Sequence, residues 1–343
     1  MTKVKFEEIA RERRSTYKGD KSGIPIVGLE HIIPKEILLK DFEVDTDNTF
    51  SKSFRKGQIL FGRRRAYQQK AAVATFDGIC SGDITVIEPI SGKVEPKLLP
   101  FLIQNEKFFE HAVQGSAGSL SPRVKWEHLA SFEIDLPSLD EQRILANKLW
   151  SAYRLKESYK HLLTATQEMV KSQFIEMFGN LKQDTPWSEV VTITNGKAYP
   201  KEYQNEGTYP ICGSGGIMYY GEKKLCNGNT IILGRKGNIN SPIFMESDYW
   251  IVDTAFSLDV DKEILNPRFF YFWCCQYDFT KLNKQGVLPS LTRKDLEKVE
   301  MAVPPMGQQK QFVSIAEQSD KSVFEIKKSI DAIDAVIKSL ING

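Results

Sequence analysis

The sequence predicts an α+β protein: two α/β modules, each followed by a long helix, with the two helices pairing as an antiparallel coiled coil. Three observations carry that expectation. A junction segment recurs at a constant offset of 167 positions, short β-type runs recur upstream of it, and two heptad rows share its phase. Leu120-Ser121-Pro122-Arg123 returns as Val287-Leu288-Pro289-Ser290, and Leu136-Pro137-Ser138-Leu139 as Val303-Pro304-Pro305-Met306. Gln142-Arg143 returns as Gln309-Lys310. A period of this size fits a whole domain plus connector rather than a solenoid unit.

The strand-like elements come first along the chain. Ile24-Pro25-Ile26-Val27-Gly28 matches Tyr209-Pro210-Ile211-Cys212-Gly213. Gly57 through Arg63 matches Gly228 through Arg235, and Ile79 through Val86 matches Ile251 through Leu258. These are brief runs of Ile, Val, Leu and Thr bounded by Gly, Asn, Asp and Pro, which read as strands. The intervals between them differ in length and composition between the copies, as recognition loops on a shared scaffold would. Phe101 to Val113 and Asn266 to Asp278 read as helices beginning near a proline.

The long helices follow. Leu145, Leu149, Ala152, Lys156, Tyr159, Leu163, Thr166 and Val170 step by alternating fours and threes, and so do Phe312, Ala316, Ser319, Val323, Ile326, Ile330, Ile333, Ile337 and Leu340. That is the seam of a coiled coil. Lys156, Thr166 and Ser319 are polar entries of the register-setting kind. About 38 residues make a rod of roughly 57 Å. The domain boundaries placed on this basis are 1–137 and 180–304 for the modules, 138–179 and 305–343 for the helices.

Composition narrows the class without naming it. The chain has 343 residues, 41% hydrophobic and 26% charged, with a net charge of +2, ordinary for a soluble protein. No run approaches the roughly 18 apolar residues of a membrane span. The amino terminus has no apolar run of the secretory kind. Five cysteines without a CxxC pair, and four scattered histidines, predict a reducing cytoplasm and no metal site. Any nucleic-acid role must rest on local clusters.

The order module, helix, module, helix, with Leu136-Pro137-Ser138-Leu139-Asp140-Glu141-Gln142-Arg143 and Val303-Pro304-Pro305-Met306-Gly307-Gln308-Gln309-Lys310 at the junctions, resembles the specificity subunit of Type I restriction-modification systems. The resemblance covers essentially the whole chain. It implies a non-catalytic, prokaryotic, cytoplasmic DNA-binding protein whose two target-recognition domains each read one half of a bipartite, asymmetric site in double-stranded DNA. It also implies that the helices act as a ruler and as the dock for two methyltransferase subunits, with restriction subunits outside. Such a chain holds no cofactor of its own; S-adenosylmethionine, ATP and Mg are expected on the partner subunits.

Reading base edges calls for Arg or Lys at guanine and Asn or Gln at adenine, with cations for phosphates. In module one the densest candidate is Arg63-Arg64-Arg65-Ala66-Tyr67-Gln68-Gln69-Lys70, just after a framework strand. Its counterpart is Arg235-Lys236-Gly237-Asn238-Ile239-Asn240, from which Arg235, Lys236, Asn238 and Asn240 are taken. A solvated charge run is the commoner source of such patterns, but the aligned position favours DNA contact. Lys18, Lys21, Lys197, Tyr199 and Lys284 are further candidates, with Arg123, Lys125, Arg293 and Lys294 flanking the junctions. Arg63 and Arg235, being aligned, are expected to share a phosphate or structural task. Arg11-Glu12-Arg13-Arg14 mixes signs and is expected on a helix face. Gln142 and Gln309, aligned at the helix starts, are expected to be structural, capping the helix or bonding it to its module, with a methyltransferase-docking role as the alternative.

Catalytic signatures are absent. Asn266-Pro267-Arg268-Phe269 lacks the second proline of a methyltransferase motif, and Gly213-Ser214-Gly215-Gly216 lacks dinucleotide spacing. Isolated histidines such as His31 and His128 are expected to be structural. Two alternatives stay open: a two-module protein-binding scaffold, and a DNA-modifying enzyme with an unrecognised site.

Overall fold

The computed structural model describes residues 2–200, 207–282 and 290–342. Two compact units divide the chain, residues 1–160 with 328–343, and residues 161–327. Each unit holds one module and a stretch of both long helices.

In the first unit β1 (Thr2–Lys5) passes through a single turn, α1 (Phe6–Ile9), into β2 (Ala10–Glu12). The strands β3 (Ile26–Val27), β4 (Lys52–Phe54), β5 (Ile59–Gly62), β6 (Ala71–Val73), β7 (Gly78–Cys80) and β8 (Ile84–Pro89) follow. They form a four-stranded sheet in the order β2-β8-β5-β6 and a three-stranded sheet in the order β3-β7-β4. β5 is buried along its whole length because both its faces are covered. Strand alternation sends Ile59 and Phe61 into one core with Phe101, Phe108 and Phe109, and Leu60 into another with Val27, Phe54 and Cys80. The layers are therefore helices, four-stranded sheet, three-stranded sheet.

The helix expected over Phe101–Val113 is two, α2 (Leu99–Ile103) and α3 (Glu106–Gln114). Asn105 divides them: its side-chain oxygen accepts the Lys107 amide hydrogen at 2.8 Å and caps α3. Arg11-Glu12-Arg13-Arg14 does not lie on a helix. Arg11 and Glu12 belong to β2, an edge strand where Arg11 stands opposite Glu88. After β9 (Ser116–Ala117), β10 (Arg123–Val124) and α4 (Trp126–Ala130), β11 (Glu133–Leu136) pairs antiparallel with β1 and leads into α5 (Leu139–Phe178).

The second unit repeats this plan with β12 (Thr185–Pro186), α6 (Trp187–Val190), β13 (Val191–Asn195), β14 (Tyr209–Gly213), β15 (Gly216–Gly221), β16 (Thr230–Gly234), β17 (Ile243–Met245), β18 (Trp250–Ile251) and β19 (Ala255–Val260). Then come α7 (Pro267–Gln276), α8 (Arg293–Leu296), β20 (Glu300–Met301) and α9 (Met306–Asn342). The sheet β13-β19-β16-β17 has the same order as β2-β8-β5-β6. The repeat also reaches further upstream than the sequence match. Phe6 and Trp187 each open a one-turn helix, and their amides donate at 2.8 Å to Phe132 O and Val299 O. The parallel pair β3·β7 recurs as β14·β18, but the outer pairing differs in extent. β4 extends the β7 edge and β15 the β14 edge, while the opposite edge in each module carries an isolated bridge, Ile26↔Glu43 and Cys226↔Tyr249. Val287, Leu288, Pro289 and Lys284 lie outside the described residues.

The long helices run antiparallel within each unit. In the first, Lys156 Nζ meets Asp334 Oδ1 at 2.6 Å, and Leu145 and Trp150 pack on the same core as Ile337, Leu340 and Ile341. In the second, Phe174 and Phe178 stack around Phe312 with centroids 5.2 and 5.7 Å away. Leu145, Leu149, Tyr159, Leu163, Val170, Phe312, Val323, Ile326, Ile330, Ile333, Ile337 and Leu340 are all buried or half-buried. Lys156 contributes an ion pair where the seam turns polar. Such a pair favours one register over its neighbours.

Gln142 and Gln309 tie each helix start to its module. Gln142 Oε1 accepts from Glu95 N at 2.9 Å and its Nε2 donates to Pro137 O at 3.0 Å. Gln309 Oε1 accepts from Asn266 N at 2.7 Å and its Nε2 donates to Pro304 O at 2.7 Å and Ile264 O at 3.0 Å. Both are buried, so truncation strands backbone groups away from water. Gln309→Ala is expected to cost about 1–3 kcal/mol, read by urea denaturation. Gln309→Glu, which keeps the acceptor and loses the donor, should be no less damaging. A Gln309→Ala midpoint equal to that of the parent would remove this linchpin role.

Candidate nucleic-acid interface

The two loops that follow the central strands occupy the same place in both modules. The Arg63 amide donates to Asp83 O at 2.9 Å and its carbonyl accepts from Val124 N at 2.9 Å. The Arg235 amide donates to Thr254 O at 2.8 Å and its carbonyl accepts from Leu291 N at 2.9 Å. Each aligned arginine thus stitches three chain segments together through its backbone. The neighbouring bridges Arg64↔Arg123 and Lys236↔Ser290 extend the same stitch.

In module one the loop is built rather than loose. Arg65 and Gln69 both take left-handed backbone angles, each with φ of 54°, and bracket a single tight turn, Ala66–Gln68. Left-handed geometry costs roughly 1–2 kcal/mol for residues with a Cβ, so the fold holds it in place. Holding it are Arg65 N to Pro122 O and Gly62 N to Lys70 O, both 2.8 Å. Asp83 gathers the cations beside it. Arg123 binds it through Nε and Nη2 at 2.6 and 3.2 Å, and Arg64 Nη1 lies 3.5 Å away. The Arg123 hydrogen bond holds the Asp83 carboxyl below its ordinary pKa. Arg64 Nη2 also donates to Ser121 Oγ at 2.9 Å. Tyr67 stands at the crest, 59% exposed, with Gln68 and Gln69 half-buried beside it.

In module two, Gly237 takes φ of 76° and buried Ile239 pins the loop, leaving Lys236 and Asn238 exposed. Arg235 lies over the Phe256 ring at 6.0 Å. Asn240 is committed to the frame: Nδ2 donates to Asp278 Oδ1 at 2.9 Å and Oδ1 accepts from Phe279 N at 2.8 Å.

The remaining candidates scatter. Lys18 is exposed and Lys21 half-buried at a turn. The Lys70 amine donates to Leu29 O at 2.6 Å and locks its own loop. Lys197 is exposed, and its carbonyl accepts from Trp250 Nε1 at 2.8 Å. Tyr199 is corrected outright. It is 6% exposed, packs on Trp250 and accepts the Lys223 amide at 3.0 Å, so its aromatic bulk serves the core and not a ligand. Sequence reading also passed over a polar cleft beside Asp83 lined by Arg14, Ser15, Thr16 and Lys52. That grouping forms where the chain leaves β2 after Glu12, a path that a helix over residues 11–14 would not take.

The near-motifs take structural roles. Gly213-Ser214-Gly215-Gly216 makes the hairpin turn joining β14 to β15. Asn266 caps α7, accepting from the Arg268 and Phe269 amides at 2.9 and 3.1 Å. His31 Nδ1 accepts from Gly28 N at 2.9 Å, and His128 stacks on His111 with centroids 4.1 Å apart. Among the described residues no helix is long and apolar enough to cross a membrane.

Known proteins similar to this chain share one family description. The profile of the family described as Type I restriction modification DNA specificity domain matches residues 8–164 and 183–334. A 96-residue stretch is 28% identical to the Type I restriction enzyme EcoDI specificity subunit of Escherichia coli, spanning 28% of this chain and 21% of that one. The putative type I restriction enzyme MjaX specificity subunit of Methanocaldococcus jannaschii is 21% identical over an alignment of 374 positions, 94% of this chain and 86% of that one. The fold is similar to the crystal structure of the Type-I restriction-modification S subunit from M. genitalium. There the TM-score is 0.63 at 14% identity, over 99% of this chain and 94% of that one.

Proposed function

Because the chain belongs to the Type I restriction-modification DNA specificity family, we propose that it directs methyltransferase and restriction subunits to a bipartite, asymmetric DNA site, each module reading one half. The observation that carries this reading is one frame holding two different loops. Arg63 and Arg235 are stitched in the same way, yet the side chains that follow differ: Arg64, Arg65, Tyr67 and Gln68 in one copy, Lys236 and Asn238 in the other. Equal frames suit equal partner subunits, and unequal loops suit unequal words.

The chain itself acts without catalysis in this reading. Two methyltransferase subunits supply S-adenosylmethionine chemistry and the restriction subunits use ATP and Mg, all in the prokaryotic cytoplasm. The paired helices set the distance between the words and dock the methyltransferases. Long-read methylome sequencing of the host tests the reading. Deleting the gene should abolish adenine methylation at one bipartite motif, and replacing module two alone should change one word of it. Methylation that persists unaltered after deletion overturns the assignment.

A further inference from the structure

The cleft beside Asp83 has a chemistry of its own. Residues 13–17 leave β2 and cross to the other sheet of module one. Arg13 N donates to Val86 O at 2.8 Å, Ser53 N to Ser15 O at 2.9 Å, and Tyr17 N to Ser51 O at 2.7 Å. This crossing, the stretch Thr49–Lys52 and the turn Ser81–Asp83 enclose a cleft of about 470 Å³. Its lining is cations and hydroxyls, chiefly Arg14, Lys52, Ser15, Thr16, Thr49 and Ser81.

Charge in the cleft is unbalanced towards the positive. The one carboxylate in its lining, Asp83, is engaged by Arg123 and approached by Arg64. Arg14 is exposed and bonds Glu12 Oε2 at 2.6 Å from the rim. Lys52 is half-buried, and its amine makes a single hydrogen bond among the described residues, to Ile84 O at 2.5 Å. Two of its ammonium hydrogens are thus without a protein acceptor. Burial pushes the Lys52 pKa down, the behaviour of a cation held away from water without a full complement of counter-charge. An anion entering the cleft supplies what the lysine lacks.

Among its described residues module two does not repeat this grouping. Matching strand pairing puts Thr194, Asn195, Gly196 and Lys197 where module one has Arg13, Arg14, Ser15 and Thr16. Cys226 bridges Tyr249 where Phe54 pairs with Gly78, which puts Lys224 at the place of Lys52, and the Lys224 amine is already committed to Asp248 Oδ2 at 2.6 Å.

Resting on the reading of the chain as a DNA-specificity subunit, we propose that this cleft seats a backbone phosphate of duplex DNA beside the word read by module one. Lys52 and Arg14 supply positive charge and the hydroxyls donate to the phosphate oxygens. Phosphate contacts of this kind fix register and carry no sequence information themselves.

The test measures affinity of the complex with its methyltransferase subunits for the bipartite duplex and for a scrambled duplex, across a salt series. Arg14→Ala, on the surface, is expected to lower the slope of log affinity against log salt by about 0.9, the value of one phosphate contact, on both duplexes. Lys52→Met, which keeps the buried stem, should do the same. The methylated words should stay unchanged. Arg11→Ala, whose guanidinium is held by Glu88 outside the cleft, should leave the slope alone. A folded Arg14→Ala complex with the parental slope overturns the proposal, as does one whose methylated word changes. Inorganic phosphate competing far better than chloride at equal ionic strength, with Arg14→Ala abolishing the difference, would make this a free-anion site and overturn it too. A parent complex that fails to prefer the bipartite duplex overturns the specificity reading, and the cleft's role with it. Failure of the cleft variants alone leaves that reading standing.

Discussion

Removing one heptad from each long helix, residues 162–168 from α5 and 319–325 from α9, should shorten the spacer between the two DNA words and leave both words intact. Seven residues are about 10 Å of helix, which is about three base pairs of B-DNA and the upper limit of the change. A whole heptad is required because the seam repeats every seven residues. The deletion takes out Leu163 and Thr166 from one row and Ser319 and Val323 from the other, and the remaining seam positions stay in phase. A deletion of five residues would swing the remaining seam off the contact by more than a quarter-turn. Methylome sequencing reads words and spacer together. Altered words with an unaltered spacer would refute the ruler, whereas loss of all methylation together with loss of helicity would show that the trimmed pair no longer holds.

This experiment leans on the part of the fold that was most legible in sequence. A coiled-coil seam is written in spacings of three and four, so it can be read without knowing any partner residue. Gln142 and Gln309 were legible for a related reason: they recur at the same offset, and each bonds backbone within its own junction and the adjoining helix start. Strand order was not legible, because pairing between β2 and β8 or β13 and β19 joins segments far apart in the chain. The correspondence of Lys52 with Lys224 is hidden by the same non-locality: only the Cys226↔Tyr249 bridge puts Lys224 at the matching place, where it is spent on Asp248. Among the site candidates, composition found the loops but not the commitments of their side chains. Asn240, Lys70 and Tyr199 have the right residue types for DNA, and their bonds go to the protein. Asn105 carried a usable signal, an Asn before Glu106, which marks a helix start inside what reads as one helix.

Phe312→Ala should produce the largest single-residue loss of stability, about 3–5 kcal/mol, confined to the second unit. Phe312 is fully buried, and the rings of Phe174, Phe178, Phe269 and Phe272 lie 5.2, 5.7, 6.3 and 5.4 Å from it. These rings come from α5, α7 and α9, so one side chain joins both long helices to the core of module two. The surrounding rings cannot all close on the vacated space, and the cost is the lost transfer energy plus that of the cavity. Phe312→Leu, which fills most of the volume, should cost well under half as much. Leu145 holds the matching position in the first heptad row but is only half-buried, so Leu145→Ala should cost less than Phe312→Ala. Denaturant titration followed by tryptophan fluorescence separates these outcomes, since Trp187, Trp250 and Trp273 report on the second unit and Trp126 and Trp150 on the first. Against a total stability of typically 5–15 kcal/mol, a loss of this size leaves module two partly unfolded at modest denaturant while module one persists. A Phe312→Ala protein no less stable than Leu145→Ala would mean that the ring cluster does not anchor the helices.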